Sequence, residues 1–382
     1  MKNAEGWDGK MRIDPKDLNG AKEPKELREP KEAKAVITNP EALEDSDYSD
    51  PDAPPVDEIE ADEDLLADED VNAEDIDLVH CRISSISALK LERFTKLQRL
   101  CMRQNQISRI NFPPNIAESL TELDLYDNLI SHIKGLEDFQ NLTSLDLSFN
   151  KIKHIKNVSH LKKLTELFFV QNKITRIEGL EELTLIKNLE LGANKIREIE
   201  NLETLSALEE LWLGKNKIVE MKVRDNAHLN LRNKMDRKLT HSQNLDSLSN
   251  LRIISIQSNR LTKITGLSGL PNLEELYLSH NAITDLSGLE SNETLRVLDF
   301  SNNQVSHLEH LSSLKNLEEL WGSNNQLASF EEVERELKDK EKLETVYFEG
   351  NPLQMNGPAV YRNKVRLALP NIKQIDATFV RV

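Results

Sequence analysis

Leucine, isoleucine and asparagine recur along most of this chain in one order, L-x-x-L-x-L-x-x-N-x-I. It reads Leu120-x-x-Leu123-x-Leu125-x-x-Asn128-x-Ile130 and returns as Leu142, Leu145, Leu147, Asn150, Ile152 and as Leu164, Leu167, Phe169, Asn172, Ile174. Asn128, Asn150, Asn172, Asn194 and Asn216 follow one another at 22 residues, and Asn259, Asn281, Asn303 and Asn325 resume the same step. Cys81 and Asn105 precede them and Asn351 closes the series, which makes twelve units. Each L-x-L predicts a short strand with both leucines on one face and the x residues on the other. Ile152, Ile155, Val158, Leu161 and Leu164 step by three, a spacing that suits 3-10 or extended turns on the return path better than full α-helices. The asparagine side chain turns inward, where its amide can bond backbone groups of its own and the neighbouring coil. Its expected role is structural.

A period of this length with this consensus is the signature of the leucine-rich repeat. The expected fold is an α/β leucine-rich-repeat solenoid of about twelve 22-residue repeats, with a concave parallel β-sheet, a convex side of 3-10 and irregular turns, and a helical C-terminal cap. A stacked core needs closed ends. Ser329-x-x-Glu332 is a capping box that opens a helix running to about Lys340. Pro358 suits the first turn of another, whose Tyr361, Val365 and Leu369 form one apolar face ended by Pro370.

Charge divides the chain. Glu41 to Asp77 holds eighteen acidic residues and no basic one, residues 1–40 hold nine basic and eight acidic, and the total is −17, so Leu78 to Val382 sums to about zero. Three regions follow: an acidic tail at 1–75, expected to be disordered because it cannot bury enough apolar surface; the solenoid at 76–350, with an insertion at about 222–242; and the cap at 351–382. A neutral body argues against nucleic acid as a partner. No run approaches eighteen apolar residues, so no membrane span is expected, and the residues after Met1 carry no secretory pattern. Two cysteines, Cys81 and Cys101, suit a reducing compartment and exclude a disulfide framework. The Asn-x-Ser/Thr triplets at Asn141, Asn157 and Asn292 are then chance matches.

Two places break the pattern. Asn216 to Asn259 spans 43 residues without a second full consensus. The basic surplus at about 222–242 reads as a surface loop, a degenerate extra coil or a splice variant; a loop costs little closure entropy. Gly322 stands where other strands carry Leu or Phe, which leaves a void or requires a neighbour to fill it.

The strings Leu123-Asp-Leu-Tyr-Asp-Asn128, Asn172-Lys-Ile-Thr-Arg-Ile-Glu-Gly-Leu180, Leu276-Tyr-Leu-Ser-His-Asn281, Glu344-Thr-Val-Tyr347 and Gln374-Ile-Asp-Ala-Thr-Phe-Val380 carry a closer likeness. Over roughly residues 75–382 the chain resembles the leucine-rich-repeat regulatory subunits of protein phosphatase 1. The resemblance implies a non-catalytic protein of nucleus and cytoplasm that binds the phosphatase 1 catalytic subunit through its concave face, alone or in a ternary complex with a phosphatase inhibitor protein. It also implies roles in mitosis, chromosome segregation and phosphatase maturation.

The inner x positions are Asp146, Phe168, Glu190, Trp212, Tyr277, Asp299, Trp321 and Tyr347, with Glu319 flanking Trp321. Aromatics exposed on a strand cluster where partners dock, and nearby carboxylates select Lys or Arg. The plainer reading is β propensity and cross-strand stacking. By position, the phosphatase contacts implied by the resemblance fall on Asp146, Phe168, Glu190, Trp212, Asp299, Glu319, Trp321 and Tyr347. The short docking motif of many phosphatase partners, a basic residue then Val-x-Phe, is not evident, since Lys34-Ala-Val-Ile-Thr38 ends in Thr. The alternative is a scaffold of the same repeat type in a spliceosomal or axonemal assembly. Ser49-Asp-Pro-Asp52 matches an acidic-directed kinase site, and phosphate there would bring Ser46 into the same pattern. His132, His154 and His307 share an outer ridge, with no spacing for a metal. Asp124, Asp146 and Glu190 suggest contact residues rather than an acid/base pair. No cofactor, metal or catalytic group is expected, and the chain by itself is expected to be a monomer.

Overall fold

The computed structural model describes residues 65–221 and 245–380. Ser46, Ser49 and most of the acidic tail, together with the insertion at 222–242, lie outside the described residues. Each unit of the pattern becomes one coil carrying one three-residue strand: β1 (Asp75–Asp77), β2 (Arg99–Cys101), β3 (Glu122–Asp124), β4 (Ser144–Asp146), β5 (Glu166–Phe168), β6 (Asn188–Glu190), β7 (Glu210–Trp212), β8 (Ile253–Ser255), β9 (Glu275–Tyr277), β10 (Val297–Asp299), β11 (Glu319–Trp321) and β12 (Thr345–Tyr347). They pair in chain order, all parallel. β13 (Gln374–Ile375) continues the sheet and β14 (Thr378–Phe379) turns back antiparallel. As far as β11 the return path holds short 3-10 turns at Ile86–Leu89, Leu91–Arg93, Pro114–Glu118 and Leu245–Ser247 and is otherwise irregular among the described residues, as the spacing by three predicts.

The middle residue of every strand points inward: Leu145, Leu167, Leu189 and Leu211 are fully buried, as are Ile152, Ile155, Val158, Leu161 and Leu164 on the return path. One hydrophobic core runs from Leu66 to Ile375. No coil can cover its own apolar face, so each depends on its neighbours. The asparagines hold the coils in step. Asn172 donates to Leu147 O at 2.9 Å and Phe169 O at 3.2 Å, and its Oδ1 accepts from Ile152 N of the preceding coil at 2.9 Å. The same bonds recur from Asn105 to Asn351. Gly179 takes a positive φ of 75° at the coil's far corner, where a Cβ would stand 2.6 Å from Ile155 O; Asn157 and Asn201 close the same corner of the adjacent coils at φ 58°, their amides donating to Ile133 O and Ile177 O.

The break after Asn216 does not interrupt the sheet. β7 pairs directly with β8, Glu210 opposite Ile253, and Asn259 reaches back to Leu213 O at 3.0 Å as any other ladder asparagine does. Among the described residues no strand stands between them.

Both ends are closed. Leu66, ahead of the start placed at Ile76, is buried against the first coil, and Arg93 donates to its carbonyl. At the other end α1 (Phe330–Leu337) begins at Ser329, whose Oγ accepts from Glu332 N at 3.2 Å. A short α2 (Pro352–Met355) leads into α3 (Pro358–Ala368), which buries Tyr361 and Val365. Asp376 ends the ladder: its Oδ1 accepts from Phe348 N at 2.9 Å, Glu349 N at 3.1 Å and Tyr361 OH at 3.2 Å. Gly322 leaves no void. The ring of Phe300 on the adjacent coil fills the space, with Cζ only 2.6 Å from where a Cβ would stand.

Candidate partner-binding face

Register brings the site residues together. The third positions of successive strands form one column, in which Asp146, Phe168, Glu190 and Trp212 are direct neighbours, then Ser255, Tyr277, Asp299, Trp321 and Tyr347. Neighbours in such a column stand about 4.8 Å apart. Glu210, Glu275 and Glu319 lie beside it in the first-position column.

The column divides into two chemistries. Its second half is an aromatic ladder. Trp212 and Tyr277 stack at 6.3 Å and 19°, Tyr277 and Trp321 follow at 6.1 Å, and Trp321 and Tyr347 meet edge to face at 5.9 Å. Because each ring leans on the next, the tryptophans are half-buried rather than free-standing. A carboxylate on the same strand holds three of them: Trp212 Nε1 donates to Glu210 at 3.2 Å, Tyr277 OH to Glu275 at 2.7 Å and Trp321 Nε1 to Glu319 at 3.0 Å. Tyr347 OH accepts from Gln374 at 2.8 Å. Tyr277 is legible in the sequence as an inner position; Glu210 and Glu275 are not singled out there, although their place two residues before an inner aromatic matches that of Glu319, and only the contacts show that all three belong to the ladder.

The first half is acidic. Burial raises Asp146 above the usual carboxylate range, with Asp124 adding to it, and burial raises Glu190, with Asp146 and then Glu210 adding to it. Asp146 Oδ1 accepts from Ser148 N at 2.8 Å, and Arg103 binds Asp124 and stands 3.7 Å from Asp146. Phe168 lies half-buried between Asp146 and Glu190. Asp299 departs from the expected free contact residue. It is buried between the strands of Tyr277 and Trp321, and its Oδ1 accepts from Ser301 N at 2.9 Å.

The outer ridge is separate. His154 pairs with Glu178 at 3.0 Å and His307 with Glu332 at 3.0 Å, which raises the His307 imidazole, while His132 faces Ser131. Among the described residues His307, Glu309 and Glu332 bring donor atoms within 4.8 Å of one another. Two of the three are exposed, and the ion pair accounts for their approach.

Stacked coils with a parallel sheet on one face and an asparagine ladder along the turn define a leucine-rich-repeat protein. Family models agree: "Leucine Rich repeats (2 copies)" matches residues 249–291, and "Leucine Rich repeat" matches 140–153 and 291–307. Among curated proteins, the chain is 54% identical over 90 residues to protein phosphatase 1 regulatory subunit SDS22 of Schizosaccharomyces pombe, covering 24% of this chain and 26% of that one. It is 63% identical over 46 residues to human protein phosphatase 1 regulatory subunit 7, covering 12% of each. The matched segments thus span about a quarter or less of the relatives' length. Among solved structures, the internalin InlF of Listeria monocytogenes superposes with a TM-score of 0.57 at 21% identity, covering 84% of this chain and 89% of that one, a likeness of fold.

Proposed function

We propose that this protein is a non-catalytic regulatory subunit that binds the catalytic subunit of protein phosphatase 1 through the open face of its sheet. The observation that carries the reading is the ladder Trp212–Tyr277–Trp321–Tyr347 with its attendant carboxylates. Aromatic anchors surrounded by acids suit a partner surface that offers apolar side chains and Lys or Arg together. The curated relatives named as phosphatase 1 regulatory subunits support the choice of partner. In this reading the protein masks, steers or escorts the phosphatase in nucleus and cytoplasm, during mitosis and chromosome segregation, alone or with an inhibitor protein. Asp146, Phe168, Glu190, Trp212, Glu319, Trp321 and Tyr347 contact the partner, while the buried Asp299 accepts from Ser301 N.

A pull-down with purified phosphatase 1 catalytic subunit tests it. Wild type retains the phosphatase and Trp212→Ala with Trp321→Ala loses it, while both keep the same circular dichroism. Retention by the double variant overturns the sheet-face site. No retention by wild type overturns the choice of partner in favour of another assembly.

A further inference from the structure

We infer that a second surface, on the turn that follows each strand, docks an acidic peptide segment of a partner protein. This surface is independent of the aromatic ladder. The residue after the ladder asparagine is Lys151, Lys173, Lys195, Lys217 and Arg260 on five consecutive coils. Their backbone amides donate to Ile130, Ile152, Ile174, Ile196 and Ile218 carbonyls at 2.8 to 2.9 Å. The ladder that fixes the sheet therefore also fixes this row, one cation per coil, at a pitch of about 4.8 Å.

The row is widened by its neighbours. Lys215 stands on the strand side, and Lys153 and Arg197 on the return side. From the residue before each asparagine to the third after it, the five turns carry these eight cations and no acid. All are exposed except the half-buried Lys217, and none forms an ion pair with a described residue. This differs from the flank just ahead of the strands, where Arg252 and Glu274, Arg296 and Glu318, and Lys187 and Glu209 cancel pairwise at 2.8 to 2.9 Å. The strip is bounded: the same position on the next coils is Ala282, Gln304 and Gln326.

A row of cations held at fixed backbone spacing binds the opposite charge at a lower ordering cost than lysines scattered along a flexible chain. Four intervals span about 19 Å, the length of about six residues of extended chain, so the occupant is a run of about six residues rich in Asp or Glu. Single-stranded nucleic acid fits less well because it needs stacking platforms along its path. The one aromatic in these turns is Phe149 at the strip's end, and its ring already lies 4.7 Å from that of Tyr126.

Fluorescence anisotropy on the full chain tests this with a labelled twelve-residue Glu/Asp peptide, a neutral peptide of equal length and a twelve-residue oligo-dT. The acidic peptide binds, weakens at least tenfold between 50 and 300 mM salt, and loses at least tenfold in affinity in K151Q/K173Q/K195Q/K217Q. A control of equal charge change elsewhere, K162Q/K187Q/K338Q/K373Q, keeps wild-type affinity. Equal loss in both variants overturns the site in favour of net charge alone. Binding of oligo-dT tighter than the acidic peptide overturns the choice of occupant, and no binding of the acidic peptide overturns the surface.

Discussion

Trp212 and Tyr277 stack at 6.3 Å although a whole strand separates them, because the residue between them is Ser255. A small side chain, itself buried, lets the two large ones close over it. The pair predicts coupling: a double-mutant cycle of Trp212→Ala and Tyr277→Ala in urea unfolding gives about 0.5–1.5 kcal/mol of interaction energy. Ser255→Leu drives a wedge between the rings and, on the proposed function, weakens phosphatase binding with the aromatics intact. A cycle energy of zero means that the rings stand independently.

Glu319 and Asp299 lie on adjacent strands but do different work. Glu319→Gln removes a charge at the rim of Trp321 and lowers affinity while leaving stability within about 0.5 kcal/mol. Asp299→Ala removes the acceptor of the half-buried Ser301 N–H and lowers stability by about 0.5–1.5 kcal/mol. Paired titrations of binding and urea unfolding on the two variants separate these roles; a reversed pattern would return Asp299 to the contact surface.

Asn172→Ala removes one acceptor and one donor that together serve Ile152 N, Leu147 O and Phe169 O. Leu147 O and Phe169 O keep the amides of Asn150 and Asn194, so Ile152 N is the buried group left without a partner, at a cost of about 1–3 kcal/mol. Hydrogen exchange should show the loss spreading to the coils on both sides of Asn172, because adjacent coils share one core. Loss confined to a single coil would contradict the coupling.

Gly322 and Phe300 exchange volume across one coil boundary. Gly322→Leu alone overpacks the site and destabilises by about 1–3 kcal/mol or more; Gly322→Leu with Phe300→Leu restores the leucine found in other coils and recovers most of it. Failure of the pair to recover would mean that the backbone itself has adapted to glycine.

The repeat could be read from the chain because period, strand face and asparagine bonding are local and recur in every coil. Trp212, Trp321 and the acids were legible for the same reason, since a position within the repeat fixes a position on the face. What could not be read depends on two coils at once. Whether Gly322 leaves a hole depends on which way the Phe300 ring turns. Whether Asp299 faces a partner depends on the rings of Tyr277 and Trp321 meeting above it. The direct pairing of β7 with β8 depends on where the chain resumes after its insertion, which no local pattern states.

Asp146 and Glu190 give the face a pH dependence. Burial raises both, each is raised further by a neighbouring acid, and Ser148 and Arg103 offset part of the effect on Asp146. As pH falls from neutral they take up protons before ordinary surface carboxylates, which titrate near about 4. The acidic half of the face therefore loses charge early, and affinity for a basic partner falls before the fold is affected. Stability runs the other way. An acid whose folded value is raised binds more protons folded than unfolded, so its contribution falls as pH rises through the unfolded value and stays lost above the folded one. Asp146→Asn with Glu190→Gln should thus be more stable than wild type at neutral pH, with the gap closing toward about pH 4 as the wild-type groups become neutral too. On the proposed function, the same variant should bind the phosphatase more weakly at neutral pH and show a flatter affinity profile below it. Urea midpoints and binding isotherms at matched pH check both signs. A stability gap that stays constant across that range would mean that the substitutions act through packing and not through charge.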